Sequence, residues 1–257
     1  MKQYRDIAVT IDGDVCFVKL NREAKLNAIT RRMLSELCEL CDHLENRTEI
    51  RFLVLHSEAR VFSAGADLDD LVSDMKSNGA KDKFRSMQRL AQRTLSRLMN
   101  LEQITFAALN GKAIGAGFAI ASVMDFRIME PDAKIVIPEV ERGLYLSFAM
   151  TPRLVSQIGL SKAKEMILIK RSNSASEAEE LGLVNAVAPT GKSRDVVNSW
   201  ISEIRKFDSD AVRITKSLAN AAHTPHIGDV SMGEAELTGF VVPSSSAQGQ
   251  LLEFLND

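Results

Sequence analysis

Hydrophobic and polar positions along this chain follow two rhythms, one of strands and one of helices. Residues 7–11 and 15–20 read as strands joined across Asp12-Gly13-Asp14, where an Asp-Gly step favours a hairpin. A polar loop over 21–27 leads to Thr30, which can cap a helix running to about Asn46. On that helix Met33, Leu34, Leu37, Leu40, Cys41 and Leu44 recur at helical spacing. Residues 52–56 read as a short buried strand. Helical patterns follow over 67–77 and 82–100, broken by Asn78-Gly79, with Phe84, Met87, Leu90, Ala91, Leu95 and Leu98 on one side of the second.

A strand is expected at 104–109, a short apolar helix at 118–123, and strands at 126–129 and 134–137. Helices are expected at 148–158, 161–169 and 176–181, then a strand at 184–187 ended by Pro189. From Lys192 onward nearly everything reads as helix, with Ser244-Ser245-Ser246 as a cap for the last one. The pattern divides the chain into an α/β core over 1–190 and a helical C-terminal region over 191–257. It shows no linker and no internal repeat.

Composition narrows the class without naming a function. The 257 residues are 45% hydrophobic and 26% charged, ordinary for a globular protein. A formal net charge of −2 argues against a broad nucleic-acid-binding face. No apolar run approaches the ~20 residues that span a bilayer. The segment Met-Lys-Gln-Tyr-Arg-Asp lacks the apolar core of a secretory signal, so a cytoplasmic location is expected. Three cysteines, Cys16, Cys38 and Cys41, fit a reducing compartment. The CxxC spacing of Cys38 and Cys41 lies inside a helical pattern, where core packing is the better reading than redox or zinc chemistry. His43 and His56 read as structural. His223 and His226 flank Pro225, in what reads as a loop between helices.

Two turns of small residues carry the candidate chemistry. The first is Ser63-Ala64-Gly65-Ala66-Asp67-Leu68, and the second is Gly111-Lys112-Ala113-Ile114-Gly115-Ala116-Gly117. Each follows a strand-like run and leads into a helix-like one, so each can aim free backbone N–H groups at one point. Glu139, in Ile137-Pro138-Glu139, can act there as acid or base. Two N–H donors and one carboxylate suffice for proton abstraction beside a carbonyl. Neither turn is a nucleotide loop: the second lacks the third glycine of GxGxxG, and Lys112 is on the wrong side for a Walker lysine. Taken singly, each turn is better read as ordinary strand-to-helix punctuation than as catalytic.

The chain as a whole resembles the crotonase family of enoyl-CoA hydratases and isomerases. The matching residues are Asn21-Arg22…Leu26-Asn27-Ala28, Phe62 to Leu68, Asn110-Gly111…Gly115-Ala116-Gly117, Asp125-Phe126-Arg127-Ile128, Pro138-Glu139…Gly143-Leu144, and Ala178…Leu181-Gly182-Leu183-Val184-Asn185. The resemblance implies an α/β fold, a spiral of ββα units followed by a helical region that mediates trimerisation. It implies a homotrimer or a dimer of trimers. It places the oxyanion hole at the N–H groups of Ala66 and Ala116, and the coenzyme A thioester against Lys25, Leu26, Ala64, Gly65, Asp67, Leu68 and Gly115. Lys25 also reads as a solvated loop lysine. No metal or redox cofactor is implied; coenzyme A enters as part of the substrate.

One departure decides between reactions. Hydratases of the family carry two catalytic glutamates. One matches Glu139, and the other falls at Ala119, which has no acid or base. Hydration benefits from two groups that position water and move its proton, whereas one carboxylate can move a proton from C2 to C4. The pattern therefore resembles the Δ3,Δ2-enoyl-CoA isomerases, with Glu139 as the single acid and base; Glu141, two residues on, reads equally as a substitute and as the partner of Arg142 in a surface ion pair. The alternatives are a hydratase or a decarboxylase acting through the same enolate, and a non-catalytic member that binds acyl-CoA or a partner. The tail ends acidic and no lysine or arginine follows Lys216, which weakens the expected phosphate contacts and leaves room for a carrier-protein-bound acyl group.

Overall fold

Strand β1 (Ile7–Asp12) turns through Gly13 into β2 (Val15–Leu20) and pairs with it antiparallel, Ile7 opposite Leu20 and Asp12 opposite Val15. The computed structural model describes residues 2–170 and 172–223, with the single positions 249 and 253. The cap expected at 244–246, His226 and most of the tail lie outside the described residues.

The large sheet then grows by parallel pairing. Strand β3 (Phe52–His56) pairs with β2, and β4 (Ile104–Leu109) with β3. Strand β6 (Phe126–Met129) pairs with β4, and β9 (Ala186–Val187) with β6, giving the order β1-β2-β3-β4-β6-β9. Every residue of β3 and β4 is buried, because both faces of the sheet are covered. Alternation sorts their side chains. Leu53, Leu55, Ala107 and Leu109 face the main core with helices α1 (Arg31–Leu44) and α3 (Ala80–Met99). Phe52, Val54, Ile104, Phe106 and Ala108 face the other way, onto Val197 and Ile201 of α8 (Ser193–Ile204).

A smaller sheet joins β5 (Lys112–Ile114), β7 (Lys134–Val136) and β8 (Ser172–Ser174) in the order β5-β7-β8. Strands β5 and β8 break the expected pattern: the first lies inside the second small-residue turn, and the second is a polar Ser-Asn-Ser. Strand β5 leads from β4 into helix α4 (Ala116–Ser122), and the stretch after β3 leads in the same way into α2 (Leu68–Met75). The repeated unit is a long strand, a short strand or bridge, then a helix, as the resemblance implies.

Thr30 caps α1, its side chain accepting from Met33 N–H. Cys38 and Cys41 lie on that helix; both are free, and burial pushes the Cys41 thiol up to about 12. The break at Asn78-Gly79 falls as expected, with α3 beginning at Ala80. Helix α5 (Met150–Ile158) starts two residues later than its pattern predicts, because Phe148 and Ala149 hold φ of 61° and 55°, outside the helical region. Helix α6 (Leu160–Glu165) runs into a wider turn over Met166–Lys170, followed by α7 (Ala175–Glu180) and, after α8, by α9 (Ser209–His223). Among the described residues no helix is long and apolar enough to cross a membrane.

The Asp125-Phe126-Arg127 and Leu183-Val184-Asn185 motifs serve this scaffold. Buried Arg127 donates to the carbonyls of Leu183, Ser122 and Met124, and Asn185 Oδ1 accepts from Arg127 N–H. Asp125 Oδ2 accepts from Thr105 N–H and Oγ1 and pairs with Lys216 Nζ of α9 at 2.7 Å.

Candidate active site

The polar groups of the loop before α1 fasten it to itself and to the first turn. Leu26 and Asn27 hold left-handed φ of 50° and 53°. Asn27 stabilises this bend by accepting from Arg22 N–H and donating to Ser57 Oγ and Phe62 O. Arg22 donates to Ala28 O and pairs with Asp67 Oδ2 at 2.8 Å. Asp67 in turn caps α2, accepting from Asp69 and Asp70 N–H.

This frame sets the direction of Ala66. Ile29 N–H donates to Gly65 O and Asp67 N–H donates to Ile29 O, a parallel bridge between Ile29 and Ala66. In such a bridge the N–H of the bridged residue itself points to the opposite side. Ala66 forms part of the wall of a cavity of about 670 Å³.

The second turn is fastened to the first. Ser63 N–H donates to Lys112 O and Ile114 N–H donates to Ser63 O, so Ser63 bridges Ala113 of β5. A β-carbon on Gly117 would meet Ser63 Cβ at 2.5 Å, so the close approach of the two turns depends on glycine there. Gly115 N–H is used on Val136 O, which ties the turn to β7. Ala116 opens α4, where the first N–H groups have no partner within the helix. Ala116 also lines the cavity.

Strand β7 runs through Ile137 and Pro138 to a short helical turn, Glu139–Arg142, and so carries Glu139 to the same wall. The residue as a whole is partly exposed, but its Oε2 is shut off from solvent and has no hydrogen-bond partner among the described residues. Burial pushes its carboxyl up to about 7, against the opposing pull of its own backbone hydrogen bond and of Arg142. Arg142 is half-buried on the same wall, and burial weakens its hold on its proton.

Of the residues singled out from sequence, Ala64, Gly65, Ala66, Asp67, Leu68, Gly115, Ala116 and Glu139 all line this cavity. Lys25 and Leu26 are not on its wall. Lys25 is exposed and pairs with Asp69 Oδ2 at 2.9 Å, while Leu26 O accepts from Ala64 N–H. Ala119 is 1% exposed and belongs to the main core, not to the cavity. Glu141 is exposed and off the wall. His56 is buried in β3, its imidazole pushed down to about 4 by burial, and His223 approaches Ser156 Oγ on α5. Neither lines the cavity. Sequence reasoning missed Gln88, Arg142, Tyr145 and Phe148 on the wall. Arg142 and Tyr145 flank the Gly143-Leu144 step and were within reach; Gln88 and Phe148 carried no signal.

Two small-residue turns and a carboxyl raised to about 7 thus line one cavity. A family model described as enoyl-CoA hydratase/isomerase matches residues 10–255. A Bacillus subtilis protein named a probable enoyl-CoA hydratase is 34% identical, over 97% of this chain and 95% of its own. The human ethylmalonyl-CoA decarboxylase is 28% identical over 90% of this chain and 75% of its own. A solved Thermobifida fusca structure in complex with CoA superposes with a TM-score of 0.76 at 27% identity, covering 98% of this chain and 95% of that one.

Proposed function

Because this chain belongs to the enoyl-CoA hydratase/isomerase family, we propose that it moves the double bond of a 3-enoyl-CoA to the 2-position, with Glu139 as its single acid and base. The isolation of Glu139 carries this reading. Its Oε2 is buried and unpartnered among the described residues, while Ala119 is sealed in the core. Of the other carboxylates on the wall, Asp67 is paired with Arg22 and Asp74 with Arg31, and Asp70 sits on α2.

In the proposed reaction the thioester oxygen lies between the N–H groups of Ala66 and Ala116. The Glu139 carboxylate takes a proton from C2, and the negative charge moves to that oxygen. Loss of one such donor typically costs about 2.7–4 kcal/mol of barrier. The now neutral Glu139 returns the proton at C4. A carboxyl with a pKa of about 7 suits both halves of this exchange at neutral pH. Ala64, Gly65, Asp67, Leu68 and Gly115 would hold the thioester arm, with Lys25 and Leu26 at the far end of coenzyme A. The chemistry calls for no metal or redox cofactor. The CoA bound in the T. fusca relative supports a CoA ester as substrate.

Arg142 favours a second reading. A half-buried guanidinium beside Glu139 can hold a carboxylate, and loss of CO2 from a malonyl-type thioester likewise leaves a thioester enolate, its charge on the same carbonyl oxygen. The decarboxylase name of the human relative is in line with it. The family expectation of a homotrimer or dimer of trimers is part of the proposal. Exposed Leu168, Ile169, Ile214 and Leu218 offer apolar area for it, and sedimentation tests it.

Incubation with a 3-enoyl-CoA, a 2-enoyl-CoA and an alkylmalonyl-CoA separates the reactions. Bond migration alone supports the isomerase. Hydration of the 2-enoyl ester overturns the Ala119 argument, and CO2 release favours the second reading. Inertness toward all three, with acyl-CoA still bound, points to a binding protein or to a carrier-protein substrate.

A further inference from the structure

We infer that Gln88 sets the acyl-length preference of this site by holding Phe148 in place as a wall of the cavity; the inference rests on the acyl-thioester reading above. Gln88 is on α3, one helical turn after Phe84 and next to Met87, and all three line the cavity. It is 7% exposed. An amide buried in an apolar wall is unfavourable unless both of its ends are bonded. Both are. Gln88 Nε2 donates to Ser147 Oγ at 3.0 Å, and Gln88 Oε1 accepts from Phe148 N–H at 3.2 Å.

The backbone it grips is strained. Phe148 and Ala149 are consecutive non-glycine residues in the left-handed region, with φ of 61° and 55°. Such a pair persists only where its surroundings over-determine it, and such residues concentrate at functional sites. Buried Arg153 holds the other side, its Nη1 donating to Phe148 O at 3.2 Å and to Ala149 O at 3.1 Å. Phe148, 5% exposed, is thereby held in the same cavity lining as Phe84 and Met87. This aromatic and thioether surface matches a hydrocarbon acyl chain. Leucine or methionine at 88 would fill the same space, so the amide is explained by the backbone it positions.

Calorimetric titration with butyryl-, octanoyl- and dodecanoyl-CoA tests this on the full chain. The wild type should discriminate among the three lengths. Gln88→Met keeps the volume and loses both hydrogen bonds, and should narrow the spread of dissociation constants by about tenfold. Gln88→Glu keeps an acceptor for Phe148 N–H and should retain the wild-type order. Phe148→Leu trims the wall with Gln88 in place and should shift the preference toward longer chains. An unchanged spread in Gln88→Met, an equal loss at all lengths, or no shift in Phe148→Leu overturns the inference alone. A wild type that binds none of the three overturns the acyl-thioester reading as well.

Discussion

A β-carbon added to Gly115 would stand 2.1 Å from Oε1 of Glu139. The carboxyl rests against a backbone position that only glycine can supply, and the φ of +44° there is strained for any other residue. Gly115→Ala should push Glu139 off its position. A displacement of about 1 Å is enough to lower turnover of a 3-enoyl-CoA ~100-fold. Steady-state kinetics beside a thermal melt check this, because unfolding should remain cooperative.

The raised carboxyl of Glu139 sets the pH profile. It must be ionised to take a proton from C2, and burial places its pKa at about 7. We expect kcat/KM to climb as pH rises toward about 7 and to level off above it. A profile already flat from pH ~5 upward would exclude Glu139 as the base.

Stability runs the opposite way. A pKa raised from 4.5 to about 7 means that the folded state holds this proton more tightly than the unfolded state. The contribution is neutral below about pH 4.5 and becomes a cost as pH rises through 7, reaching ~3 kcal/mol above it. Glu139→Gln removes that cost. Its melting temperature should exceed that of the wild type by several degrees at pH ~8 and match it near pH ~4.5, read by calorimetry at both.

Lys216 and Asp125 form a buried pair at 2.7 Å, and Lys216 Nζ also donates to Gln103 O. Lys216→Met leaves Asp125 without its cation and Gln103 O without its donor. We expect a loss of about 3–5 kcal/mol in urea unfolding, and a detached α9.

Strands β3 and β4 were legible because burial on both faces makes them continuous apolar runs. Strands β5 and β8 were not. Lys112-Ala113-Ile114 and Ser172-Asn173-Ser174 are each held by pairing with β7, so neither carries a local period. The start of α5 was misread for a similar reason: Phe148 N–H is held by Gln88, 60 residues away. Within the site, the small residues at Ala66, Gly115 and Ala116 announced close backbone approach. The bridge of Ser63 to Ala113 that fastens the two turns together is a long-range pairing with no sequence signal. Lys25 shows the converse limit, since a loop lysine looks the same in sequence whether it meets a ligand or Asp69.

The central claim is that one carboxyl, Glu139, moves a proton from C2 to C4. It is tested most directly by NMR of a 3-enoyl-CoA incubated with the wild type and with Glu139→Gln in deuterated water. The wild type should yield the 2-enoyl ester with no hydrated product, and Glu139→Gln should leave the substrate unchanged while still binding it. Bond migration at an undiminished rate in Glu139→Gln, or a 3-hydroxyacyl product from the wild type, would contradict it.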